Sequence, residues 1–123
     1  MPVVEPRLVE KPWGGEEIFA RTDRYVGKIL TIRAGEALSL QYHRTKDETI
    51  RVLDGRMRFL AGSSGEALEE HELGPGDTYH VTPGTIHRMI AIEDTRVLEV
   101  STPELDDVVR LEDRYGREGT SAP

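Results

Sequence analysis

The sequence has no cysteine, which excludes disulfides and thiolate metal sites and leaves stability to the packed core. No stretch approaches the roughly 18 consecutive apolar residues that a membrane-crossing helix needs. Basic residues are outnumbered, with 16 Lys and Arg against 23 Asp and Glu and a net charge of -7. That balance argues against nucleic acid or an anionic membrane as a general partner. It leaves room for a phosphorylated small molecule, because a local basic cluster can outweigh the net charge. The opening Met1-Pro2-Val3-Val4-Glu5-Pro6 lacks the basic-then-apolar pattern of a signal peptide, so the expected location is the cytoplasm.

What is present is the make-up of one soluble globular domain: 123 residues, 37% hydrophobic and 32% charged. Gly and Pro punctuate short β-rich segments, and no long helical period appears. Strands are expected over 17–21, 25–33, 37–43, 48–53, 56–60, 67–73, 78–82, 86–93 and 96–101. Asp54-Gly55 has the composition of a two-residue hairpin turn, and Gly74-Pro75-Gly76-Asp77 that of a tight turn. Thr102-Pro103-Glu104 reads as the start of a short C-terminal helix. The polar tail, 118–123, is expected to fray. Eight to ten short strands at close spacing indicate an all-β sandwich or barrel, and no second domain appears.

Side chains two apart on a strand share a face. Gln41 and His43 therefore share one, as do Glu48, Ile50 and Val52, and His87, Met89 and Ala91. The apolar members mark the inner face. Three segments can each aim a polar group inward, and a buried carboxylate there demands a partner or a metal. Histidine with glutamate suits a divalent ion. His80 shares parity with Thr78 and Thr82 and is expected to hydrogen-bond within the barrel, whereas His71, in Glu69-Glu70-His71-Glu72, belongs to a solvated face. Trp13 is a candidate packing anchor at one barrel end.

The spacing of these residues resembles a known pattern. Gly35, Gln41, His43, Glu48 and Gly55 fall at the intervals of the first cupin motif, with Gln41 in place of its first histidine. Gly76, Pro83, Gly84 and His87 follow the second motif, with the proline one place late and Ala91 where an asparagine is usual. Lys11-Pro12-Trp13-Gly14, Leu38 to His43 and Val109 to Arg117 resemble the type II mannose-6-phosphate isomerase domain of that superfamily. The likeness runs from about Val9 to Arg117. It implies a single-domain cupin, a jelly-roll β-barrel, with a divalent metal on Gln41, His43, Glu48 and His87. Zinc is the first choice of metal, ahead of manganese, nickel, cobalt and iron. Arg44, Thr45, Lys46, Asp47, Thr49 and Ile50 depart from the histidines, arginine and tryptophan usual around that family's glutamate.

The implied function is metal-dependent aldose–ketose isomerisation of a sugar phosphate, mannose 6-phosphate to fructose 6-phosphate. Such chemistry needs a base near the C–H, for which His80, Lys46 and Tyr79 are the candidates. It also needs a cation for the phosphate. Lys46 and Arg88 are preferred there over Lys28 and Arg33, although Arg88 has opposite parity to His87. The arginines of 110–117 form a structural clasp or line the pocket mouth. Two alternatives stand beside this reading: a non-catalytic or regulatory metal-containing cupin that binds a sugar or metabolite, and another cupin enzyme such as an oxygenase. A homodimer paired through strand edges is expected from the resemblance.

Overall fold

A computed structural model of the chain describes residues 3–121, the last two by their backbone alone. Among the described residues there are twelve strands and no helix. They are β1 (Arg7–Lys11), β2 (Gly14–Arg21), β3 (Val26–Ile32), β4 (Leu40–Tyr42), β5 (Glu48–Asp54), β6 (Met57–Gly62), β7 (Glu69–Leu73), β8 (Thr78–Val81), β9 (Ile86–Ala91), β10 (Thr95–Ser101), β11 (Val108–Glu112) and β12 (Gly119–Ser121). One sheet has the order β1-β2-β3-β10-β5-β8 and the other β12-β11-β4-β9-β6-β7. Neighbours pair antiparallel throughout. Successive strands repeatedly cross from one sheet to the other, as in a jelly roll.

Alternation explains the closed interior. On β5, Glu48, Ile50 and Val52 are buried while Arg51 is exposed; on β9, His87, Met89 and Ala91 are buried. On β10, Thr95, Val97, Glu99 and Ser101 are buried between exposed Arg96 and Val100. The apolar members join Trp13, Leu30, Ile32, Met57 and Phe59 in one core cluster. Trp13 is only 2% exposed and is a packing anchor. Its carbonyl accepts the Arg33 N–H at 3.0 Å, while the Arg33 guanidinium donates to the Pro12 carbonyl.

The structure revises several local expectations. Asp54-Gly55 does not close a hairpin, because β5 and β6 lie in different sheets. Turn residues serve a crossover as well as a hairpin. Gly55 is needed because its φ is +87° and a Cβ there would lie 2.3 Å from the Asp94 carbonyl oxygen. No helix starts at Thr102-Pro103-Glu104: only 102–107 separate β10 from β11, too few for a stable helix. The side chains of Thr102 and Asp107 are instead engaged by backbone amides of 44–47. Within the expected polar tail, β12 pairs with β11 through Ser121, using backbone groups that a polar sequence supplies as well as an apolar one. Residues 122 and 123 lie outside the described region. The expected strand 37–43 shortens to β4 plus an isolated bridge from Ala37 to Ile90.

Candidate metal centre

His43 follows the last residue of β4, Glu48 opens β5 and His87 is near the start of β9, and all three are buried. Their potential ligand atoms lie within 4.8 Å of one another. The His43 Nδ1 donates to the Asp107 carbonyl at 2.6 Å, and the His87 Nδ1 donates to the Thr85 carbonyl at 2.9 Å. A carbonyl oxygen only accepts, so each neutral ring carries its hydrogen on Nδ1 and presents the Nε2 lone pair. Those two Nε2 atoms stand 3.1 and 3.3 Å from Glu48 Oε1. Three electron-pair donors thus converge on one another in a buried space. Glu48 Oε2 is also buried, with no hydrogen-bond partner, and faces the Lys46 ammonium at 3.4 Å. A divalent cation bound to neutral imidazoles and a carboxylate satisfies that arrangement, and backbone carbonyls behind the imidazoles are the usual means of orienting metal-binding histidines. The residues present fit a metal.

Glu48 is kept ionised by its surroundings. Burial pushes its carboxyl pKa up, but the contacts around it, led by the Lys46 ammonium at 3.4 Å, hold it well below the usual range. Lys46 itself is 4% exposed and bridges to Glu99 at 3.1 Å. Burial lowers its pKa, yet Glu99 and Glu48 together raise it above the ordinary lysine value. Glu99 is biased the other way: burial and the neighbouring Glu48 charge raise its carboxyl pKa against the pull of Lys46 and Lys28. Next along, buried Lys28 pairs with Glu16 at 3.3 Å.

A cavity opens beside Gln41 and His43. Lys11, Lys28, Lys46, Arg110 and Arg117 line it, against the carboxylates of Glu16 and Glu99, with Trp13, Leu30, Leu38 and Val108 as apolar wall. Arg110 is buried and its Nε has no hydrogen-bond partner. Burial and the Arg117 charge both work against its charged form. Burial likewise lowers the Lys11 pKa; Glu16 offsets this in part, and Arg110, Lys28 and Arg117 add to it. Crowded cations with an unpaired buried N–H make a place for an anion.

The expected site residues fall into two groups. His43, Glu48 and His87 meet. Gln41 stands opposite His87 in register and lines the cavity, its side-chain carbonyl accepting the Ser39 hydroxyl at 2.6 Å. Lys46 reaches the cavity but is held between two carboxylates, so it is not a free phosphate-binding cation. The others are elsewhere. His80 faces outward beside Thr49, more than half exposed, and meets Asp47 at 2.6 Å. It is not inside the barrel, because its parity is opposite to that of Tyr79 and Val81. Tyr79 is inward but stacks on Phe59 at 4.8 Å and His71 at 5.5 Å, away from the cavity lining. Arg88 points outward, as its parity warned, and donates to the Leu38 carbonyl at 2.9 Å. Glu99, Lys11 and Asp107 were missed. Parity was a usable signal for Glu99, which alternates with Val97 and Thr95 on the buried face of β10.

Comparison with known proteins accords with this geometry. A family model described as a cupin domain matches residues 28–101. Mannose-1-phosphate guanylyltransferase ManC of Salmonella typhimurium is 34% identical over 116 residues, which are 90% of this chain and 23% of that protein. Alginate biosynthesis protein AlgA of Pseudomonas aeruginosa is 31% identical over 114 residues, 89% of this chain and 23% of that protein. The chain therefore spans about a quarter of the length of these relatives. Among solved structures, the capsular polysaccharide assembling protein CapF of Staphylococcus aureus superposes with a TM-score of 0.73 at 18% identity, over 89% of this chain and 35% of that one. KdgF from Halomonas gives a TM-score of 0.66 at 23% identity, over 79% of this chain and 87% of that one.

Proposed function

This chain belongs to the cupin family, and we propose that within it the protein is a metal-dependent aldose–ketose isomerase acting on a sugar phosphate such as mannose 6-phosphate. One observation carries the reading: the cavity beside the His43–Glu48–His87 cluster is lined by five cations, one of them a buried arginine with an unpaired Nε. An anionic sugar held there lies next to a site built for a divalent ion. His43, Glu48 and His87 would hold that ion, with the Gln41 carbonyl as a fourth ligand and zinc as the first choice of metal. When bound, it supplies positive charge to stabilise the oxygens on C1 and C2 as negative charge develops.

The residues of the chain do the rest. Arg110 and Lys11 take the phosphate and orient the sugar, beside Arg117, which Asp113 holds at 2.9 Å. Lys46 keeps Glu48 ionised for the metal. The base is Glu99, the buried carboxyl that lines the cavity and whose pKa is raised by burial and by the Glu48 charge. It removes the proton from C2 and returns it to C1, while a hydroxyl proton passes from O2 to O1. The state between is the enediol.

A second reading is a sugar-phosphate-binding cupin without catalysis. The pairing of Lys46 with Glu99 favours it, because that ion pair restrains the base. An NMR time course with mannose 6-phosphate and with glucose 6-phosphate, with and without chelator, separates the two. Conversion of mannose 6-phosphate that the chelator abolishes supports the isomerase. Line broadening of the sugar signals with no conversion, at high protein concentration, supports the binding module. We also propose a homodimer through the edge strand β1, where Leu8 is 77% exposed; a monomeric mass by light scattering would refute it.

A further inference from the structure

We infer that Asp107 is a positioning residue of the metal centre, holding His43 and the 44–46 turn in the arrangement that metal binding needs. The inference rests on the metal reading above and adds to it a residue that lies on a separate segment and carries no ligand atom. Asp107 grips the ligand loop with both of its polar ends. Its backbone carbonyl accepts the His43 Nδ1–H at 2.6 Å, which sets the tautomer and the rotation of that ring. Its carboxylate accepts the backbone N–H groups of Arg44 at 3.0 Å, Thr45 at 2.6 Å and Lys46 at 2.9 Å. These three residues follow one ligand, His43, and precede another, Glu48.

Three successive amides on one carboxylate form charge-assisted hydrogen bonds, the strong kind. Burial raises the Asp107 pKa, but those amides outweigh it and hold the carboxylate ionised. Thr102, at the other end of the same connection, adds two contacts: its Oγ1 accepts the Asp47 N–H at 2.9 Å and its N–H donates to the Asp47 carbonyl at 3.0 Å. The six residues between β10 and β11 therefore brace the loop between two ligands from outside. Lys46 is carried by the same loop, so the brace also sets the cation that keeps Glu48 charged.

The test compares zinc affinity with stability of the metal-free protein in Asp107→Ala, Asp107→Asn and Asp77→Ala. Asp77 is a control, a turn carboxylate that accepts one backbone N–H, from Gly74 at 2.8 Å, and whose carbonyl meets Val52, four residues along β5 from Glu48. Zinc Kd is measured by competition with a chromophoric chelator, and Tm by thermal unfolding after chelation. Asp107→Ala keeps the carbonyl that holds His43 but releases the 44–46 turn, and should raise Kd by about ten-fold, the low end of the cost of losing an outer partner of a metal ligand. Asp107→Asn should raise it less, because its amide oxygen still accepts from part of the trio. Asp77→Ala should lower Tm and leave Kd at the wild-type value. A lowered Tm with unchanged Kd in Asp107→Ala would overturn the inference and leave a merely structural clamp. Should Asp107→Ala not fold, the Kd of Asp107→Asn decides in the same way. A wild-type protein that binds no zinc would overturn the metal reading itself, and the inference with it.

Discussion

The two ends of the barrel interior are made from the same strands but filled with opposite chemistry. Along β5 the inward residues run Glu48, Ile50, Val52; along β9 they run His87, Met89, Ala91; along β10, read backwards, they run Glu99, Val97, Thr95; along β3 they run Lys28, Leu30, Ile32. Register aligns these gradients. Glu99 pairs with Lys28 and Val97 with Leu30, while Val97 also pairs with Val52. One end is thus an apolar floor and the other a buried polar cluster. The floor contributes stability through apolar burial. The polar end buries Glu48, Glu99, Lys28, Lys46, His43 and His87, groups whose desolvation is costly unless each is paired. The floor can support that cost, and the polar end can be spent on function.

The comparison can be broken first at the ligands. His43→Ala and His87→Ala should each abolish stoichiometric metal binding, read by metal analysis after gel filtration; unchanged stoichiometry in either would refute the ligand set. Glu99→Gln comes next. It keeps the shape of the polar end and removes the proposed base, so kcat should fall by about 10²–10⁴ with metal content unchanged. Wild-type turnover in that variant would remove Glu99 from the mechanism. At the other end, Met57→Ala, opposite Ala91, opens a cavity in the floor and should lower folding stability by about 2–5 kcal/mol, measured by chemical denaturation of the metal-free protein. A comparable loss from Glu99→Gln would mean that the two ends do not divide the work as described. The smallest effect belongs to His80→Ala, which should leave turnover at the wild-type level because the ring faces solvent; a large fall would bring His80 back as a candidate base.

Much of the site was legible because a strand has period two. His87, Met89 and Ala91 were read as one inward face from alternation alone, and so were Glu48, Ile50 and Val52. The same rule spoke against Arg88, which lies on the outer face, and it was available for Glu99, whose neighbours Val97 and Thr95 are buried. Lys46 was harder. It sits in a turn, where no period applies, and only the fold shows its amine held between Glu48 and Glu99. Turn chemistry also misled at Asp54-Gly55, since a glycine at positive φ serves a sheet-to-sheet crossover as readily as a hairpin.

By itself, the sequence determined that the chain is a small cysteine-free all-β domain, a sandwich or barrel, and which face points inward at β5 and β9, because alternation and composition are local properties. It also placed two histidines and a glutamate on inward faces. Tertiary structure alone decided what surrounds them. Asp107 reaches His43 and the 44–46 turn, Glu99 reaches Lys46, and Arg110 is brought to the cavity with Lys11 and Lys28. Those contacts join residues more than 50 positions apart, through strand pairings whose partners no local pattern names.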